Sequence, residues 1–143
     1  MGRVKFQSPE PELQEYGFIS GTSTYRQSLN GIAAWATSNK GLPYEVGAAL
    51  HDLKEPSLQQ PIFPAHVDGN IQEIYVYKAD YGAYQRKKEC VDAALKGLFH
   101  MLLGQCDDGL RGKVKNRSDF HTLERDGDTI TLAKNIEEEG YSL

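Results

Sequence analysis

The stretch Val91-Asp92-Ala93-Ala94-Leu95-Lys96-Gly97-Leu98-Phe99-His100-Met101-Leu102-Leu103-Gly104-Gln105-Cys106 decides the fold. Its apolar members Val91, Ala94, Leu95, Leu98, Phe99, Leu102, Leu103 and Cys106 recur in steps of three and four. That spacing gathers side chains on one face of a helix with about 3.6 residues per turn. No proline interrupts the chain back to Ile71, and the upstream half is rich in tyrosine (Tyr75, Tyr77, Tyr81, Tyr84). The pattern predicts either one central helix over about 71–105 or two with a break near Tyr81-Gly82. The break is suggested because Gly82 and Gly97 each cost about 1 kcal/mol relative to Ala inside a helix.

Working outward, Leu110 and Val114 continue the stripe into a short following helix. Ser118 or Asp119 is placed to cap a turn carrying Phe120 and Leu123. Asp126-Gly127-Asp128 reads as a turn, and a last helix carries Ile130, Ala133 and Ile136 inward with Gly140 as its stop. Upstream, Pro56, Pro61 and Pro64 exclude regular helix from a connector over 55–69, and Asp68-Gly69 signals a turn. Ile62 and Phe63 are expected to tuck against the core. A first helix starts near Thr24, which has capping-box spacing to Gln27, and buries Tyr25, Leu29, Ile32, Ala33 and Ala36. Gly41 stops it. Pro43 opens a second helix with Val46, Ala49, Leu50 and Leu53 inward. Residues 1–20 carry two apolar patches, Val4-Lys5-Phe6 and Tyr16-Gly17-Phe18-Ile19, with Pro9 and Pro11 between them. These predict a short hairpin or extended arm that no helix crosses. The expectation is an all-α, multi-helix bundle around one long helix: an N-terminal arm over 1–20 and a single helical domain over 21–143.

The chain is 143 residues long, 39% hydrophobic and 25% charged, with a net charge of −4. This is the usage of an ordinary globular domain. No strong positive field is present to steer a polyanion to the whole domain. Two cysteines, Cys90 and Cys106, do not make a disulfide framework and read as reduced thiols. No apolar run reaches a membrane-spanning length, and no apolar run follows the basic residues at the start, so neither a membrane span nor a signal peptide is expected. The myristoylation pattern also fails, because position 6 is Phe. A cytoplasmic location follows as the expectation.

Catalytic motifs are absent. None of His51, His66, His100 and His121 has metalloprotease spacing, and no paired-cysteine motif or glycine-rich phosphate loop occurs. His100 and Cys106 lie on different sides of the predicted helix, so they cannot share a metal unaided. Asp126-Gly127-Asp128-Thr129 resembles half a calcium loop, but the rest of the ligand set does not follow. No nucleophile and base converge in sequence, so no enzyme, cofactor, metal or small-molecule substrate is expected.

Two basic clusters stand out, Arg86-Lys87-Lys88 and the alternating set Arg111, Lys113, Lys115 and Arg117. The second is the candidate nucleic-acid contact, since phosphates favour such clusters. The bland alternative is a solvated helix face, which is what most charge runs on helices are. Trp35, Tyr75, Tyr77 and Tyr81 are the candidate self-association residues, because aromatics are enriched at protein interfaces. Against that, tyrosines often bury the ring and leave only the hydroxyl at the rim.

The run Leu98-Phe99-His100-Met101-Leu102-Leu103-Gly104-Gln105-Cys106-Asp107 is similar to the apolar run ending in "WGQC" of the Gag-like proteins of copia-type retrotransposons and related elements. Val4-Lys5-Phe6 resembles the "KF" opening of those proteins. Tyr25 to Trp35, and Ala48-Ala49-Leu50 to Glu55-Pro56, resemble the next blocks. Then come Tyr84, Lys87 and Lys88 on the long helix, Leu110 and Val114, Ser118-Asp119-Phe120, and Thr131-Leu132-Ala133-Lys134-Asn135-Ile136 against the "LLKxI" step. The likeness spans nearly the whole chain and is loose outside "GQC". It implies a non-catalytic capsid domain that self-associates into particles packaging the element's RNA. The alternative is a helical module that binds protein or nucleic acid without assembling. Three departures stand out. Leu103 replaces the usual Trp. No protease or polymerase motif is present. The sequence ends at Leu143, where such regions continue into more helix and often a zinc knuckle, so the resemblance implies an N-terminal half.

Overall fold

The computed structural model describes residues 11–64 and 71–140. A 3-10 helix, Pro11–Tyr16, leads into α1 (Tyr25–Asn39) and α2 (Tyr44–Asp52). The long α3 (Ile71–Gly104) follows, and then three short helices, α4 (Asp108–Lys115), α5 (Phe120–Asp126) and α6 (Thr129–Gly140). No strand occurs among the described residues, so the architecture is all-α, with one long helix against which the others pack. The Val4-Lys5-Phe6 patch, Pro9 and the Asp68-Gly69 turn lie outside the described residues.

The apolar stripes do what their spacing demands. Tyr25, Leu29, Ile32, Ala33 and Ala36 of α1 are buried, as are Val46, Ala49, Leu50 and Leu53 at α2. So are Val91, Leu95, Leu98, Phe99, Leu102 and Leu103 in the C-terminal half of α3. Ile130, Leu132, Ala133 and Ile136 of α6 close the core against α3, α4 and α5. Two side chains tie the layers together. The Tyr25 hydroxyl donates to the Ala133 carbonyl at 2.6 Å, and the Thr129 hydroxyl donates to the Leu95 carbonyl. Gly41, at φ +62, provides the reversal after α1. Leu53 takes the left-handed conformation that ends α2, at φ 53, while its side chain stays buried.

Of the two alternatives for the long element, the single helix forms: α3 runs through Gly82 without a break. Several local expectations are corrected. Ile62 and Phe63 do not reach the core: they are 89% and 57% exposed, and Phe63 leans its ring edge on Tyr77 of α3 instead. Thr24 precedes α1 without capping it, because its φ −99 and ψ 7 depart from the extended geometry a capping side chain needs; its hydroxyl pairs with Thr22 at 3.0 Å. Asp119 likewise does not cap α5; its carboxylate accepts from Asn135 Nδ2 at 3.1 Å. The capping side chains are Asp107 at α4, accepting from the Leu110 N–H at 2.8 Å, and Asp128 at α6, accepting from the Thr131 N–H at 3.1 Å.

The segment after the 3-10 helix does not pair within residues 11–20. Phe18 forms an isolated parallel bridge with Cys106: its N–H donates to the Gln105 carbonyl at 2.7 Å, and its carbonyl accepts from Asp107 at 2.9 Å. A helix does form at Pro11, because proline's missing donor costs nothing in a first turn. Leu13 and Phe18 are fully buried, so this segment is built into the bundle.

Candidate functional site

Everything that sets the site apart follows from the length of α3. Its buried residues begin at Val91, so none of the residues from Ile71 to Cys90 is buried. At 1.5 Å per residue this half extends roughly 30 Å beyond the core-packed half. It is an arm whose two faces differ in chemistry.

One face continues the core stripe. Ile74, Tyr77, Tyr81 and Tyr84 are half-buried. Phe63, Tyr77, Tyr81 and Tyr84 stack in series, with ring centroids 5.1, 5.8 and 5.8 Å apart. Offset and edge-on contacts at such distances suit the ring quadrupoles. Pro61, Ile62 and Pro64 line an open depression of about 890 Å³ beside Tyr75, Val76 and Tyr77. At the base of the arm, Lys87 Nζ reaches Glu45 Oε1 of α2 at 3.0 Å. The other face is open: Ile71, Tyr75 and Val76 are 67%, 68% and 59% exposed, and Ala79, Ala83, Arg86 and Cys90 follow them along it, all exposed.

This geometry divides the predicted self-association residues. Tyr75 stands on the open face, and Tyr77 and Tyr81 sit in the aromatic series. Trp35 is corrected: it is 8% exposed, in the core of the bundle, with Lys40 Nζ 5.2 Å from its ring centroid. α1 is packed against both α2 and the 3-10 helix. It therefore buries a wider face than a one-sided stripe, and Ser28 and Trp35 form the added edge.

The basic set also divides. Arg111 folds back over the end of α3, donating to the carbonyls of Cys106 at 2.9 Å, Gly104 at 3.4 Å and Leu103 at 3.5 Å. Arg117 faces three carboxylates, Glu138 at 3.0 Å, Asp119 at 3.6 Å and Glu139 at 3.9 Å. Lys113 and Lys115 are exposed and form no ion pair among the described residues. Both arginines of the alternating run therefore have partners within the fold, and its two lysines do not form ion pairs among the described residues.

The "GQC" block is a structural junction. Gln105 is fully buried and its Nε2 donates to the Leu13 carbonyl at 2.8 Å. Asp107 accepts from the Ser20 N–H at 2.9 Å, the Ser20 hydroxyl at 3.1 Å and the Leu110 N–H. Burial alone would raise the Asp107 pKa. The hydrogen bonds from Leu110 and Ser20, with the charge of Lys113, outweigh that and hold it below the ordinary carboxylate value. Cys106 is buried, and desolvation pushes its thiol up to about 12 against the opposing pull of Arg111. His100 is exposed and Cys106 is not, so the two do not meet.

Among the described residues, no three His, Cys, Asp or Glu side chains are grouped to hold a metal ion, and no helix is long and apolar enough to cross a membrane. Ile71, Val76 and Gly97 were not among the predicted site residues. The signal for Val76 and Gly97 is a second stripe of spacing (76, 79, 83, 86, 90, 93, 97) along the face away from the core. The chain matches no family model, and no curated protein or solved structure is significantly similar to it.

Proposed function

We propose that this chain is a non-catalytic structural protein that self-associates, a capsid domain of the Gag type working in the cytoplasm and assembling around the RNA of its element. The observation that carries self-association is the open face of the α3 arm. It presents Ile71, Tyr75 and Val76, each more than half exposed, on a stretch of helix over residues 71–90 in which no residue is fully buried. Apolar side chains clustered on a projecting element are costly in water and mark an interaction surface. A lattice of many weak copies of one contact gains strength by repetition, so no single contact need be tight. The Gag reading adds the resemblance around Gly104-Gln105-Cys106, whose residues join the N-terminal segment to the end of α3.

RNA contact in this reading falls to the exposed lysines Lys113 and Lys115 and to Lys88 on the arm. Arg111 and Arg117 are committed to intramolecular partners. Light scattering across a wide range of protein concentration and salt tests the proposal. The apparent mass should rise with concentration, and Tyr75→Asp should suppress the rise without loss of helicity. A mass that stays monomeric at every concentration would overturn it.

A further inference from the structure

The arm and the bundle carry complementary shapes on one continuous face of α3. At the far end are the projecting side chains of Ile71, Tyr75 and Val76. At the near end is a groove of about 430 Å³ with Ala93, Ala94 and Gly97 as its floor, Trp35 and Leu42 as one wall and Met101 beyond. A Cβ added at Gly97 would meet nothing within 4 Å, so the floor there is open. Between the two ends Ala79, Gly82 and Ala83 are small, and the one long side chain on this stretch, Arg86, lies back along the helix with its guanidinium 3.5 Å from where a Cβ on Gly82 would stand, so a second helix can approach over the alanines.

Two charges flank this face. Lys78 and Glu89 are exposed and form no ion pair among the described residues. Their separation is about three helical turns, so both stand on the same side of the arm. When two copies of a helix meet face to face in opposite directions, the same flank of each copy lies along the partner. Lys78 then meets Glu89 of the second copy, and by symmetry Glu89 meets its Lys78. In a parallel pairing the equivalent flanks of the two copies lie on opposite sides of the seam, so Lys78 and Glu89 would find no partner in each other.

We infer that the α3 arms of two copies pair antiparallel across a two-fold axis, each arm's apolar tip seated in the other copy's groove. The inference rests on the self-association reading and specifies its first contact. The Lys78–Glu89 pairing sets the register. The axis passes between Ala83 and Tyr84, Ile71 falls beside Lys96 and Gly97 of the second copy, and Tyr75 falls beside Asp92 and Ala93. The interface is isologous, with one patch used twice, as two-fold dimers require. A surface charge pair of this kind sets register and direction more than strength; the apolar tips in their grooves supply the affinity.

Sedimentation equilibrium of the full chain, with helicity checked by circular dichroism, tests the arrangement. Lys78→Glu should weaken dimerisation on the order of tenfold, because like charges then meet twice. The double variant Lys78→Glu/Glu89→Lys should restore it. Gly97→Leu, which favours helix and fills the groove floor, should weaken it on the order of a hundredfold, since both grooves are blocked. In a Cys90→Ala background, Ala83→Cys should be joined between copies by a short bismaleimide, and Lys115→Cys should not. If the wild-type chain associates but the charge swap fails to restore what Lys78→Glu removes, or Ala83→Cys is not joined, this pairing is wrong and self-association stands by another surface. If the wild-type chain never associates, the self-association reading fails and the pairing with it.

Discussion

Arg111 belongs by sequence to a run of cations suited to phosphate, and by structure to the end of α3. Replacing it with alanine separates the two roles. The guanidinium makes one good hydrogen bond, to the Cys106 carbonyl at 2.9 Å, and two long ones at 3.4 and 3.5 Å. A hydrogen bond from a charged donor contributes about 1.5–3 kcal/mol, the long pair much less. A cation at a helix C-terminus adds about 0.3–1 kcal/mol. The side chain is 31% exposed, which lowers both figures, and its ion pair to the fully exposed Asp108 contributes next to nothing. Together these put the loss in Arg111→Ala at about 2 kcal/mol, or roughly 5–8 °C in melting temperature for a chain of this length. Urea unfolding followed by the fluorescence of Trp35, the single buried tryptophan, gives the measurement directly. Lys115→Ala, at an exposed site without an ion pair, should stay within about 0.5 kcal/mol of wild type. Equal stability of the two variants would refute the structural role. So would an Arg111→Ala protein that keeps its stability and loses RNA affinity.

Other perturbations test separate parts of the structure. The Cys106 thiol, pushed up to about 12, should resist alkylation in the native protein while exposed Cys90 reacts. Mass spectrometry should therefore find one label before unfolding and two after it. Because the folded value lies above the ordinary 9.0, the stability tied to this group is complete below pH 9 and falls as pH rises towards 12. Asp107→Ala should cost about 1–2 kcal/mol at neutral pH through the lost cap. The folded pKa of Asp107 is lowered, so its contribution is present above the ordinary value of 3.8. The gap between wild type and variant should close as acid protonates the folded carboxylate. Gly127 sits at φ +66, and an added Cβ there would crowd the Lys96 side chain of α3. Gly127→Ala should therefore destabilise by at least about 1 kcal/mol in the same urea assay.

The long helix, the stripes of α1, α2 and α6, and the stops at Gly41 and Gly127 were all legible from spacing and turn chemistry. Those are local properties: the period of apolar residues and the φ a glycine allows do not depend on what lies across the core. Caps were less legible. Thr24, Asp119, Asp107 and Asp128 all have capping chemistry, but only Asp107 and Asp128 cap, because the backbone before α1 and α5 is not extended. The two arginines of the basic run looked no different from its two lysines. Which of the four stays free depends on carbonyls at the end of α3 and carboxylates on α6, brought close by the fold.

The amino-acid order alone settled that the chain is helical, that α3 is its longest element, and which side of each helix turns inward, since periodicity is written along the chain. Three-dimensional packing settled how far along α3 the core reaches. It covered the stripe from Val91 onward and left the arm from Ile71 to Cys90 largely in water, buried Trp35, and drew Leu13 and Phe18 into the bundle. The physical reason is that burial depends on the neighbours that the other helices supply, and those neighbours end where the bundle ends, while the helical pattern continues.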